Sequence, residues 1–153
     1  VLRAAITYDL SGIAMQLPFF VYGTLRPSGV SYRQYLVGRT SAETPAVLRG
    51  AVLFTPGPFP FLTTVPELAA PDDTVRGDLI AVLPAFYPET LAALDRLEGF
   101  VNGRATNLYE RVALEVETAD GPRRAWVYVA AERALRLIRQ GRMRRVPGGD
   151  WLM

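Results

Sequence analysis

The 153-residue chain is long enough for one domain with a proper core, and its 50% apolar and 21% charged residues suit a globular protein. It contains no Cys and no His, and all 17 basic residues are Arg. Those absences exclude a thiol nucleophile, a Ser-His-Asp triad, a disulfide frame, a Cys/His zinc site and a Schiff-base or P-loop lysine, leaving acid/base chemistry to a carboxylate, a Tyr or an amine.

Residues 1–14 lack the basic start and apolar centre of a signal peptide, and no apolar run approaches the ~20 residues of a membrane span. Met15 offers an alternative start, so residues 1–17 read as an N-terminal extension ahead of a domain at 18–153. A cytoplasmic location, with no membrane partner, is the default expectation.

The domain opens on "FFVYGTLRP" (19–27), an aromatic and β-branched strand that breaks at Gly23. The break either turns a corner or lays backbone N–H groups bare. Residues 31–38 predict a short helix ended by Gly38, and 46–54 a strand with Gly50 as an internal bulge or close approach. "TPGPFPFLTT" (55–64) is a proline-rich lip that cannot be helical, and 74–83 is a second strand with an internal glycine. Residues 88–99 form the clearest helix, with Pro88 in its first turn and Gly99 just past its end. Strands at 108–117 and 124–131 are joined by "TADGP", a turn with Asp-Gly in it, and a last short helix at 132–140 ends at Gly141. Strand 124–131 is apolar on both faces, as in a barrel wall. Without long βαβ alternation, the pattern predicts an α+β fold: a small mixed or antiparallel β-barrel flanked by a few helices.

Helix 88–99 carries the most informative residue. At helical pitch Leu91, Leu94 and Glu98 fall within ~60° of one another, so Glu98 stands where the apolar stripe asks for a leucine. Burial, the helix C-terminus and Asp95 one turn back would each disfavour its ionised form, raising its pKa toward the range of a proton-shuttling carboxyl. The alternative is a buried structural Glu paired with Arg96 or Arg111. Asp72 and Asp73 read as turn residues, and Glu115 and Glu117 as a solvated strand face. Asp95 with Glu98 lacks a third metal ligand, so no metal is expected. Tyr109 and Arg111 share one face of their strand, opposite Val112, Leu114 and Val116, and would line a rim if the valine face packs inward. Tyr128 lies on the paired strand. The arginines at 123, 124, 133, 136, 139, 142, 144 and 145 form a basic block opposed only by Glu132. With no aromatic platform among them they read as a solvated face, so no nucleic acid is expected.

Six short segments together resemble the γ-glutamylcyclotransferase-like family: "VYGTLR" (21–26), "VRGDL" (75–79), "LDRLEG" (94–99), "YER" (109–111), "AWVYV" (125–129) and "GGDW" (148–151). The resemblance covers about residues 19–151. It implies a small barrel with a pocket at one end, where the loop after the first strand binds the γ-glutamyl part of a substrate and the acid of "LEG", Glu98, is the general acid/base. Tyr22, Gly23, Thr24, Leu25 and Tyr109 are the implied substrate-binding residues. The implied reaction is cyclisation of a γ-glutamyl amide or peptide to 5-oxoproline and an amine, with no cofactor. An amide hydrolase using Glu98 to activate water, or a non-catalytic small-molecule binding module, would keep the same pocket. The leaving amine stays unread, with the lip at 55–61 and the loop between Glu98 and Tyr109 as the places that would select it.

Overall fold

A computed structural model describes residues 16–152. The expected extension at 1–17 lies outside the described residues up to Met15; within them Leu17 is buried, and its carbonyl accepts the Tyr87 hydroxyl at 2.6 Å.

Five strands close a barrel in the order β1 (Phe19–Val21), β5 (Thr74–Val82), β2 (Thr40–Arg49), β6 (Tyr109–Thr118), β7 (Gly121–Ala130). Every pairing is antiparallel except the closing one, where Phe19 of β1 meets Trp126 of β7 in parallel. A second sheet runs β4 (Phe61–Thr63), β3 (Val52–Thr55), β8 (Arg144–Arg145). Three helices complete the fold: a single turn α1 (Tyr32–Tyr35), α2 (Tyr87–Leu97) and α3 (Glu132–Arg139). This is the α+β mixed barrel that the strand pattern predicts.

Period-two alternation sorts the wall residues into two cores. Phe20, Leu79, Ala125, Val127 and Val116 belong to one cluster, which contains no helix residue. Phe19, Val21, Ile80, Trp126 and Tyr128 belong to the other, with Leu94 of α2 and Ala134, Leu135 and Ile138 of α3. The wall is therefore covered on both faces, which explains why β7 is apolar on both. Gly77 closes the seam: a Cβ there would stand 2.3 Å from the Val21 carbonyl oxygen and 2.8 Å from the Phe20 ring.

Two local expectations are corrected. Residues 46–54 are not one bulged strand. Gly50, at φ +69°, ends β2 and its N–H donates to the Asp73 carbonyl at 2.7 Å, so the chain leaves the barrel there and starts the second sheet. The β6–β7 loop is Ala119-Asp120 rather than Asp-Gly, because Gly121 already pairs with Thr118. The proline-rich lip regains strand geometry at Phe61–Thr63, where Pro60 is behind it and its N–H groups can pair with β3.

Candidate active site

Two chain breaks meet at one end of the barrel. The first is the end of β1. After Tyr22 the chain turns, with the Arg26 N–H donating to the Gly23 carbonyl at 3.1 Å and the Ser31 N–H to the Thr24 carbonyl at 2.9 Å. A guanidinium clamp fixes this turn: Arg26 Nε lies 2.8 Å from Asp78 of β5, and its Nη1 lies 3.0 Å from Asp150. Among the described residues, the backbone N–H groups of Gly23, Thr24 and Leu25 find no acceptor. Such a run of free donors suits an anion or a developing oxyanion. Gly23 cannot carry a side chain freely, since its Cβ would touch the Pro60 ring at 3.1 Å.

The second break is the end of α2. Gly99 adopts φ +66°, its N–H reaches the Arg96 carbonyl at 3.1 Å, and the Phe100 N–H reaches Asp95 at 2.8 Å. This is a Schellman cap, and it leaves Glu98 as the last residue of the buried Tyr87, Thr90, Leu94 stripe. Among the described residues no hydrogen bond or ion pair reaches the Glu98 carboxyl. Burial alone pushes its pKa up, to about 7. The neighbouring Asp95 contributes nothing to that shift, because it faces elsewhere: it accepts from Arg111 Nε at 2.9 Å and from the Tyr128 hydroxyl at 2.6 Å. The structural alternative for Glu98 therefore lacks its partner. Arg111 belongs to Asp95, and Arg96 makes no ion pair among the described residues.

Between the two breaks lies a pocket of about 430 Å³. Tyr22, Gly23, Thr24, Leu25, Glu98 and Tyr109, distant in sequence, all line it. The two tyrosine protons are committed, Tyr22 donating to the Tyr128 carbonyl at 2.6 Å and Tyr109 to the Pro60 carbonyl at 2.7 Å. Burial first, and then the nearby acidic groups, holds both hydroxyls well above the usual tyrosine range. They are neutral positioning groups whose oxygens still accept. Thr24 differs: its hydroxyl oxygen accepts from Ser31 at 3.0 Å, which leaves its own proton free. Among the described residues no three carboxylates gather into a possible metal site, and no helix is long and apolar enough to cross a membrane.

Tyr109 and Arg111 do not stand on a solvent rim. Both lie beneath the helix layer, Tyr109 stacked on Phe61 with centroids 4.3 Å apart and Arg111 set over Trp126 at 4.3 Å. Tyr109 reaches the pocket from within the core. The structure also adds Tyr128, Leu108 and the lip residues Pro58–Pro60 to the lining. The lip was legible as a proline cluster. Tyr128 was visible only as an aromatic on the paired strand, and its carbonyl, which accepts the Tyr22 hydroxyl, carries no side-chain signature.

Comparison with known proteins follows the same lines. Residues 19–153 match the family model described as "Gamma-glutamyl cyclotransferase, AIG2-like". The chain is 30% identical over 126 residues to the "Gamma-L-glutamyl-butirosin B gamma-glutamyl cyclotransferase" of Niallia circulans, covering 82% of this chain and 74% of that protein. Among solved structures it resembles YkqA of Bacillus subtilis with a TM-score of 0.60 at 21% identity, over 88% of this chain but 39% of the longer protein. It resembles an AIG2-like protein of Mus musculus with a TM-score of 0.57 at 19% identity, covering 78% of this chain and 82% of that one.

Proposed function

Since the chain belongs to the γ-glutamyl cyclotransferase, AIG2-like family, we propose that it cleaves a γ-glutamyl amide by attack of the substrate's own α-amine, with Glu98 moving the proton. In the reacting form the α-nitrogen is a neutral amine. It bonds to the γ-carbonyl carbon, the amide C–N bond breaks, and the proton lost by the α-nitrogen ends on the departing nitrogen. 5-Oxoproline and a free amine form, and no water is consumed. Attack within one molecule needs chiefly a folded conformer, and holding it supplies up to ~7–11 kcal/mol in favourable systems. That suits a chain with no Cys, His or Lys.

The observation that carries this reading is a carboxyl with a pKa of about 7 and no partner among the described residues, in the same pocket as three backbone donors equally free among them. Near neutral pH such a group is populated in both forms, so it can accept one proton and return it. The N–H groups of Gly23, Thr24 and Leu25 are suited to the substrate α-carboxylate or the oxyanion on the γ-carbon. Tyr22 and Tyr109 shape the wall, their hydroxyl oxygens being able to accept from the α-amine.

Glu98→Gln tests the assignment. It preserves size and removes proton exchange, so it should fold normally and lose turnover by at least ~100-fold. Near-normal release of 5-oxoproline from this variant would refute the role. Release of free glutamate by the parent protein would mean that water, not the α-amine, attacks.

A further inference from the structure

We infer that the pocket selects γ-glutamyl amides whose amine part is apolar and carries no positive charge. The inference rests on the cyclotransferase reading of the site and names the half of the substrate which that reading leaves open.

The polar part of the lining comes from the Tyr22–Thr24 segment, Glu98 and Tyr109. The remaining lining comes largely from Leu25, Leu97, Leu108 and the lip Pro58–Pro60. Phe59 and Leu97 keep 39% and 38% of their surface exposed although both are large and apolar. They come from different elements, the lip and the last turn of α2, and both meet this pocket. Exposed apolar side chains gathered at one opening mark a ligand surface.

Charge points the same way. Apart from the tyrosines, the only ionisable side chains lining the pocket among the described residues are Glu98 and Arg96. Arg96 is exposed and makes no ion pair among the described residues. A second guanidinium, Arg104, donates to the carbonyl of the lining residue Gly99 and is held by Asn107 at 2.9 Å. A cationic amine part would meet Arg96 at the lining and Arg104 beside it, and the only carboxylate lining the pocket among the described residues is the one assigned to proton transfer. An aliphatic or aromatic amine part would instead cover Phe59, Leu97 and Leu108.

The test is a series of three L-γ-glutamyl amides, those of phenethylamine, methylamine and spermidine, with 5-oxoproline as the readout. The phenethylamide should exceed the methylamide in kcat/KM by about tenfold or more, and the spermidine amide should not exceed the methylamide. In Phe59→Ser/Leu97→Ser the ratio of phenethylamide to methylamide should fall toward one. Equal kcat/KM for all three, or preference for the spermidine amide, overturns the inference while leaving the cyclotransferase reading intact. No 5-oxoproline from any of them removes both.

Discussion

Glu98 is costly to the fold where it stands. A carboxyl with a pKa near 7 in the folded chain, against an ordinary value of 4.5, binds its proton more tightly when folded. Stability attributable to this residue is therefore highest below about pH 4.5 and lost as pH rises toward 7, the reverse of a salt-bridged acid. Glu98→Gln should consequently raise the melting temperature at pH 8 relative to the parent and lose that advantage at pH 4. The difference is on the order of 2 kcal/mol after allowance for partial exposure. Under the proposed mechanism the same group also governs activity. If the carboxylate accepts the proton, kcat/KM should fall on the acid side with an inflection near pH 7, a value tied to Glu98 and not to the substrate ammonium. A flat profile from pH 5 to 8 would separate Glu98 from the chemistry. A residue that destabilises at the working pH and lies in a pocket fits functional retention better than packing.

Two short connections place the groups proposed to act on substrate at the level of elements. Gly99 ends α2 in the left-handed region, and any other residue there strains the cap that directs Glu98. Gly99→Ala should cost about 1–2 kcal/mol in urea or thermal unfolding. Its loss in kcat should be larger than that stability change explains, because the helix end can relax by moving Glu98. The loop after β1 depends on Arg26 instead. Its partners Asp78 and Asp150 are each 16% and 15% exposed, so Arg26→Met leaves two half-buried carboxylates facing each other. Loosening of the loop, with about 2 kcal/mol of destabilisation, is expected. Because the free N–H donors ride on that loop, KM for a γ-glutamyl amide should rise; Arg26→Lys, which keeps charge but not the fork, should recover only part. An unchanged KM in Arg26→Met would detach the loop from substrate binding.

Barrel closure decides whether either connection is in position. The parallel contact of β1 with β7 is short, so β1 is held mainly by its antiparallel pairing with β5, where Gly77 lets the Val21 carbonyl and Phe20 ring approach. Gly77→Ala has no space within 2.3 Å and should cost roughly 3 kcal/mol or more, seen as a large fall in melting temperature. Wild-type stability in that variant would mean that the seam repacks freely. Such a seam explains why "VRGDL" belongs with "VYGTLR": the glycine of one permits the strand of the other, and its Asp78 holds Arg26.

Local pattern carried much of this molecule. Helical pitch placed Glu98 on the apolar stripe, alternation marked β6, apolar runs marked β5 and β7, and the missing Cys, His and Lys removed the usual nucleophiles, since all of these depend on residues near one another or on composition alone. The family resemblance then joined segments that no local rule connects. Only the tertiary structure decided that Gly50 divides one predicted strand between two sheets, that Arg111 serves Asp95 and leaves Glu98 without a partner among the described residues, and that Tyr109 reaches the pocket from beneath the helices. These outcomes rest on contacts between residues far apart in the chain, and on backbone groups that carry no side-chain signature. The sequence determines which groups are available; barrel closure determines which of them meet.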